Sequence, residues 1–81
     1  MRIQRLTISW ERAEHIAEHW ITPAEAREAV EQGRVFRGPR SDDGGRTYIV
    51  RGRTYAGRPL WLLVKPLGQG LAFLITAHDD R

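Results

Sequence analysis

Apolar residues follow two different rhythms along this chain, and the change of rhythm divides it. Up to about residue 32 they recur at helical spacing; beyond that they alternate or run together. Trp10, Ala13, Ile16, Ala17 and Trp20 share an arc of roughly 120° at about 100° per residue. With Ser9 as N-cap, this predicts a first helix from Trp10 to about His19, its apolar stripe on that arc and His15, Glu18 and His19 on the opposite side. Thr22-Pro23-Ala24-Glu25 forms a capping box with proline at the first helical position, and Ile21 ahead of it suits a hydrophobic staple. The second helix runs to about Gln32 and stops at Gly33. Its Ala24, Ala26, Ala29 and Val30 are small enough to lie close to whatever they cover.

The remaining apolar positions predict strands. Leu6-Thr7-Ile8 alternates and suits a short first strand, and Val35-Phe36 suits another. Gly38 to Gly45 reads as a flexible loop. Arg46 to Thr54 alternates weakly, and Ala56-Gly57 fits a tight turn into Leu60–Lys65, the strongest strand signal. Gly68-Gln69-Gly70 turns the chain into a last strand, Leu71 to Ala77. The expected fold is α+β: two N-terminal helices packed on one face of an antiparallel sheet of about four strands, in a single domain spanning 1–81. Strand alternation places Tyr48, Val50, Leu60, Leu62 and Val64 under the helices. Ile49, Arg51, Arg53, Trp61, Leu63 and Lys65 then form the other, open face.

Length and composition set limits on this picture. A chain of 81 residues with 41% hydrophobic content suffices for one thin core. Absence of cysteine excludes disulfides and thiolate metal sites. The longest large-apolar run, Leu60 to Val64, is too short to cross a bilayer, and Met1 to Arg5 leads into no apolar signal core, so a cytoplasmic location is expected. Charge is unevenly distributed. Residues 1–32 hold four Arg and six Glu, whereas residues 33–81 hold eight Arg and one Lys against four Asp. The sheet-forming half is the basic half, which favours phosphate-rich partners. An Arg-, Ala- and Gly-rich codon bias accounts for arginine over lysine but not for this asymmetry.

Three constellations carry candidate chemistry. His15-Ile16-Ala17-Glu18-His19 matches the H-x-x-E-H pattern of inverted zinc peptidases, but no later carboxylate stands on a helix to complete a site, so no metal is expected. The pair is read either as solvated histidines or as part of a phosphate-binding site. The open face combines arginine forks for phosphate with Trp61, on which a base can stack; a partner or dimer interface has the same composition. His78, placed after the last strand, can titrate near neutral pH with Asp79 or Asp80 to orient it, or can be a polar residue at a frayed end. No nucleophile elbow, phosphate loop or Rossmann glycine pattern is present, and Ser41 sits in a loop without a nearby histidine.

Trp10, the run from His15 to Glu25, the set Arg46, Gly52, Thr54 and Gly57-Arg58, and the ending Leu74-Ile75-Thr76-Ala77-His78 together resemble the BrnT toxin family over about residues 8–79. A related family of uncharacterised small domains ends in the same way and carries the Gln32-Gly33-Arg34-Val35 type of helix exit. The resemblance implies a RelE-like fold, RNA cleavage without metal or cofactor, and a cognate antitoxin, often DNA-binding. His78 stands where the family has Arg, and its C-terminal Arg-rich helix has no counterpart in these 81 residues.

For such cleavage a 2′-hydroxyl attacks the adjacent phosphate, histidine moves protons and basic side chains stabilise the phosphorane. The expected catalytic set is His78 and His19 with Arg53, Arg58 and Lys65, and the expected RNA contacts are Arg46, Arg51, Trp61 and His15. The rival expectation is a non-catalytic partner- or nucleic-acid-binding module of the same fold. A homodimer through the open face is expected when no antitoxin is present.

Overall fold

Local signals start both helices where the sequence places them. In the computed structural model, which describes residues 2–81, the Ser9 hydroxyl accepts from the Arg12 N–H at 3.2 Å and opens α1 (Trp10–Ala17). The Thr22 hydroxyl accepts from the Glu25 N–H while the Glu25 carboxylate accepts from the Thr22 N–H, which opens α2 (Pro23–Gln32). These reciprocal bonds satisfy donors that a helix N-terminus leaves without partners.

Between the helices lies a turn that the apolar pattern did not foresee. Trp20 adopts a left-handed backbone, φ 61°. The Trp20 N–H reaches Ala17 O at 3.0 Å and the Ile21 N–H reaches Ile16 O at 3.2 Å. This pair of bonds makes a Schellman termination with tryptophan where glycine usually stands. Regular α-helix therefore ends at Ala17, two residues before the expected His19. The turn carries Ile16 and Ile21 together into the core. Of the expected apolar arc only Ile16 is buried; Trp10 is 79% exposed and Trp20 85%. Tertiary packing selected a narrower stripe than the arc allowed.

The sheet has five strands: β1 (Arg5–Thr7), β2 (Arg34–Arg37), β3 (Tyr48–Arg53), β4 (Pro59–Gly68) and β5 (Leu71–Asp79). Their spatial order is β1-β5-β4-β3-β2. Strands β2 to β5 pair antiparallel, but β1 runs parallel to β5, so the sheet is mixed rather than antiparallel and has one strand more than expected. The parallel pair is possible because both helices and three strands intervene between its members, which gives the chain length to return in the same direction.

One face of the sheet packs under the helices. Val50, Leu60, Leu62, Val64, Ala72, Leu74 and Ala77 are fully buried with Ile16, Ala26 and Ala29, and Tyr48 packs at the margin. Tyr48, Val50, Leu60, Leu62 and Val64 thus lie under the helices, as strand alternation predicts. Contact of α2 with β3 is close enough to need glycine: a Cβ on Gly52 would lie 2.0 Å from Ala29 O. Helix α1 packs on β5. Because β1 pairs only with Leu71–Phe73, the later half of β5 has no strand neighbour on that side. Arg12 of α1 lies against it there, donating from Nη1 to Ile75 O at 3.1 Å. That position along the edge lets α1 reach both faces of the sheet. No helix among the described residues is long and apolar enough to cross a membrane.

Candidate functional site

Three strand registers assemble the open face. Arg34 of β2 pairs with Arg51 of β3, Arg51 with Trp61 of β4, and Trp61 with His78 of β5. These four side chains form one row across the sheet, because partners in register share a face. A neighbouring row runs Phe36, Ile49, Leu63, Thr76. An irregularity in the β4–β5 register at Leu63/Val64 brings Thr76 and His78 onto this face, although Ala72 and Leu74 before them point into the core.

Helix α1 completes the site from the edge. His15 lies on the side of α1 that meets β5, and His19 follows four residues later in the turn that ends the helix. His15 Nε2 lies 3.0 Å from the Thr76 hydroxyl, and His78 Nε2 lies 3.1 Å from the same oxygen. The His19 and His78 rings are 4.3 Å apart, and His15 and His19 are 5.7 Å apart. On its other side His78 stacks on Trp61, centroids 4.7 Å apart and planes 25° from parallel. Three histidines, one threonine and one tryptophan thus form a continuous cluster. All are partly buried.

Thr76 has one hydroxyl proton. When its oxygen donates to one imidazole it accepts from the other, so His15, Thr76 and His78 form a hydrogen-bonded chain able to pass a proton. Burial pushes the His78 pKa below the usual histidine value, and the positive charges of His19 and His15 push it further in the same direction. A neutral His78 beside two other imidazoles is an arrangement suited to acid–base chemistry near neutral pH. Among the described residues no group of three or more His, Cys, Asp or Glu is placed to hold a metal ion. The reason is visible in the ring directions: His15 and His78 aim at the threonine hydroxyl, which occupies the point where their nitrogens converge.

The sequence-predicted residues separate into two groups. His15, His19, His78 and Trp61 come together, with Arg51 next in the row. Its Nε is 2.9 Å from Asp80, and most of its side chain is exposed. The other basic residues have partners of their own or lie further along the strands. Arg58 Nε binds Asp79 at 3.0 Å, and its Nη1 and Nη2 donate to the carbonyls of Trp20 at 2.6 Å and His19 at 3.2 Å. It ties the turn after α1 to β5 and is fully engaged in that structural role. Lys65 pairs with Phe73 in register, well along the strands from Trp61, and binds Asp43 at 3.0 Å. Arg53 lies opposite Pro59 at the end of β3 and donates to Gly57 O at 3.0 Å. Arg46 precedes β3. Register places Arg53 and Lys65 along the strands from the histidines, and Arg58, though bonded to the His19 carbonyl, is turned to Asp79 and two backbone oxygens rather than to an imidazole.

His78 was expected beyond the last strand, oriented by Asp79 or Asp80. It lies inside β5, Asp79 binds Arg58 and Arg81, and Asp80 binds Arg51. The two arginines hold the Asp79 carboxyl down at about 2. Thr76 is the residue that orients His78, and sequence reasoning missed it. Plain alternation from Ala72 and Leu74 would have put Thr76 and His78 on the core face; the irregularity that turns them to the face of Trp61 leaves no signal in the sequence. A groove of about 670 Å³ between the N-terminal segment, α2 and β2 contains no histidine and lies apart from this cluster.

No curated protein and no solved structure matches the chain. Residues 8–79 match a protein family described as a domain of unknown function, DUF4258. That match takes in both helices, strands β2 to β4, and β5 through to Asp79, with every member of the histidine cluster, and the chain belongs to the DUF4258 family.

Proposed function

We propose that the protein is a metal-independent endoribonuclease that cleaves RNA by attack of a 2′-hydroxyl on the adjacent phosphate. The observation that carries this reading is the cluster of His15, His19 and His78 joined through Thr76 and set against Trp61 in a row with two arginines. The reaction needs a base, an acid and positive charge near phosphorus, and these side chains supply all three kinds of group.

His78 is the base. Its depressed basicity keeps it neutral near pH 7, and Thr76 holds its Nε2, leaving Nδ1 free to take the proton of the 2′-hydroxyl. The 2′-oxygen bonds to phosphorus as the bond from phosphorus to the 5′-oxygen breaks. His19 in its protonated form gives its proton to that leaving oxygen. The products are a 2′,3′-cyclic phosphate and a 5′-hydroxyl end. Rings 4.3 Å apart leave no room for a phosphate between them, so the His19 side chain must swing away from His78 when RNA enters. Arg51 lies beside Trp61 and contributes charge to the phosphorane, and Trp61 stacks on His78 to hold the imidazole plane. His15 and Thr76 orient His78 and return its proton to solvent.

The resemblance to BrnT toxins and the RelE-like arrangement it implies extend this reading to a type II toxin–antitoxin module. In that proposal a DNA-binding antitoxin covers the open face and blocks the cluster. The rival reading is a binding module without catalysis, favoured by the close spacing of the histidine rings. Incubating purified protein with RNA in the presence of a chelator separates the two. Cleavage with cyclic-phosphate ends, abolished in His78→Gln, supports the nuclease. Binding without cleavage supports the module.

A further inference from the structure

Trp20 combines two costs at one position. A bulky residue in the left-handed region is an outlier, since its Cβ crowds the backbone where glycine would fit without strain. Its indole is also 85% exposed, which wastes one of the chain's three largest apolar side chains as far as packing is concerned. The fold nevertheless holds this residue firmly. Arg58 donates to Trp20 O and His19 O with one guanidinium and fixes the same guanidinium to Asp79. The paired bonds of the turn hold the backbone from the other side. Strain retained by surrounding structure at an exposed aromatic points to a binding role. The neighbour in sequence is His19, whose ring touches His78.

We infer that Trp20 is a stacking platform for a nucleobase adjacent to the phosphate bound at the histidine cluster, and that it selects single-stranded over double-stranded RNA. The inference rests on the nuclease reading for the location of the phosphate. Every base presents a π-face, so an exposed indole gives affinity without base identity. A base held in a duplex is already stacked on its neighbours and cannot lie flat on the indole. Trp61 is less available, because it is partly buried and His78 occupies one face of its ring.

The test uses the whole chain and a labelled single-stranded 2′-O-methyl oligonucleotide, which has no attacking hydroxyl and is not cleaved. Binding is followed by fluorescence anisotropy, with the matching duplex as comparison. Trp20→Gly is expected to weaken single-strand binding by about 5- to 100-fold, to leave duplex binding unchanged, and to raise Tm because the left-handed residue is relieved. Trp20→Phe keeps most of the affinity. Single-strand affinity equal to wild type in Trp20→Gly overturns the inference, as does a lowered Tm, which would make Trp20 a packing residue. Cleavage of unmodified RNA is measured alongside. Intact cleavage with Trp20-independent binding sinks the platform and leaves the nuclease standing. Trp20-dependent binding without cleavage does the reverse, and absence of any oligonucleotide binding overturns both.

Discussion

The two faces of the sheet are made by the same strands yet follow opposite rules. Under the helices, Val50, Leu60, Leu62, Val64 and Leu74 have no solvent exposure, and no buried side-chain polar atom among the described residues lacks a partner. On the open face Ile49, Trp61, Leu63 and Phe73 are only partly buried and sit among Arg51, Lys65, Thr76 and His78. The covered face gains stability from removal of apolar surface from water. The open face holds its side chains by stacking and hydrogen bonding, which stabilise less but leave polar groups within reach of a ligand. The lesson is that period-2 alternation separates a stabilising surface from a chemical one residue by residue, so each can be changed without the other.

That separation sets the expected outcomes. The largest is on the open face: His78→Gln should reduce RNA cleavage by about 10²- to 10⁴-fold, the contribution typical of a general base, while Tm stays close to wild type. A large fall in Tm would instead mean that His78 belongs with the core. On the covered face, Leu62→Ala should destabilise the fold by about 2–5 kcal/mol in denaturant titration, the range for a fully buried leucine. In a domain this small that is a large share of total stability. The fraction still folded should keep its affinity for RNA.

A pH series gives a smaller, diagnostic effect. His78 has a pKa below the usual value when folded, so the unfolded chain binds its proton first as pH falls. Its contribution is fully present above the unfolded value near 6.5 and is lost as pH drops through the lowered folded value. Stability should decline on that side of neutrality, and the decline should flatten in His78→Gln. A wild-type curve that matches the variant would show that His78 gains its proton as readily in the fold as outside it. The smallest effect belongs to Lys65→Ala. Its partner Asp43 is held well below the usual carboxylate range, chiefly by the Ser41 hydroxyl, next by the Gly45 N–H, and only then by Lys65. The pair is largely exposed, so Tm should not change measurably, and cleavage should persist. Strong loss of cleavage would return Lys65 to the catalytic set from which its register excludes it.

Legibility in the sequence followed the range of each interaction. The capping box at Thr22–Glu25 acts over three residues and needs nothing else, so α2 was readable in full. The alternation of β3 and β4 is likewise local, and it assigned Val50, Leu60 and Leu62 to one face and Arg51 and Trp61 to the other. The first helix was read less well. Its apolar arc gave no means of knowing that a left-handed turn at Trp20 would end the helix early and leave both flanking tryptophans outside.

What the amino-acid sequence determined by itself was therefore where both helices begin, the face each residue of β3 and β4 shows and the basic character of the sheet half. These depend on capping, side-chain period and charge, all properties of neighbouring residues. What only the tertiary structure decided was the parallel return of β1 onto β5, the position of α1 along the edge of β5, and the meeting of His15 and His19 with Thr76, His78 and Trp61. His15 and Thr76 are 61 residues apart in the chain. No local rule relates residues at that separation, and their contact exists because β1 is short enough to leave half of β5 open to a helix.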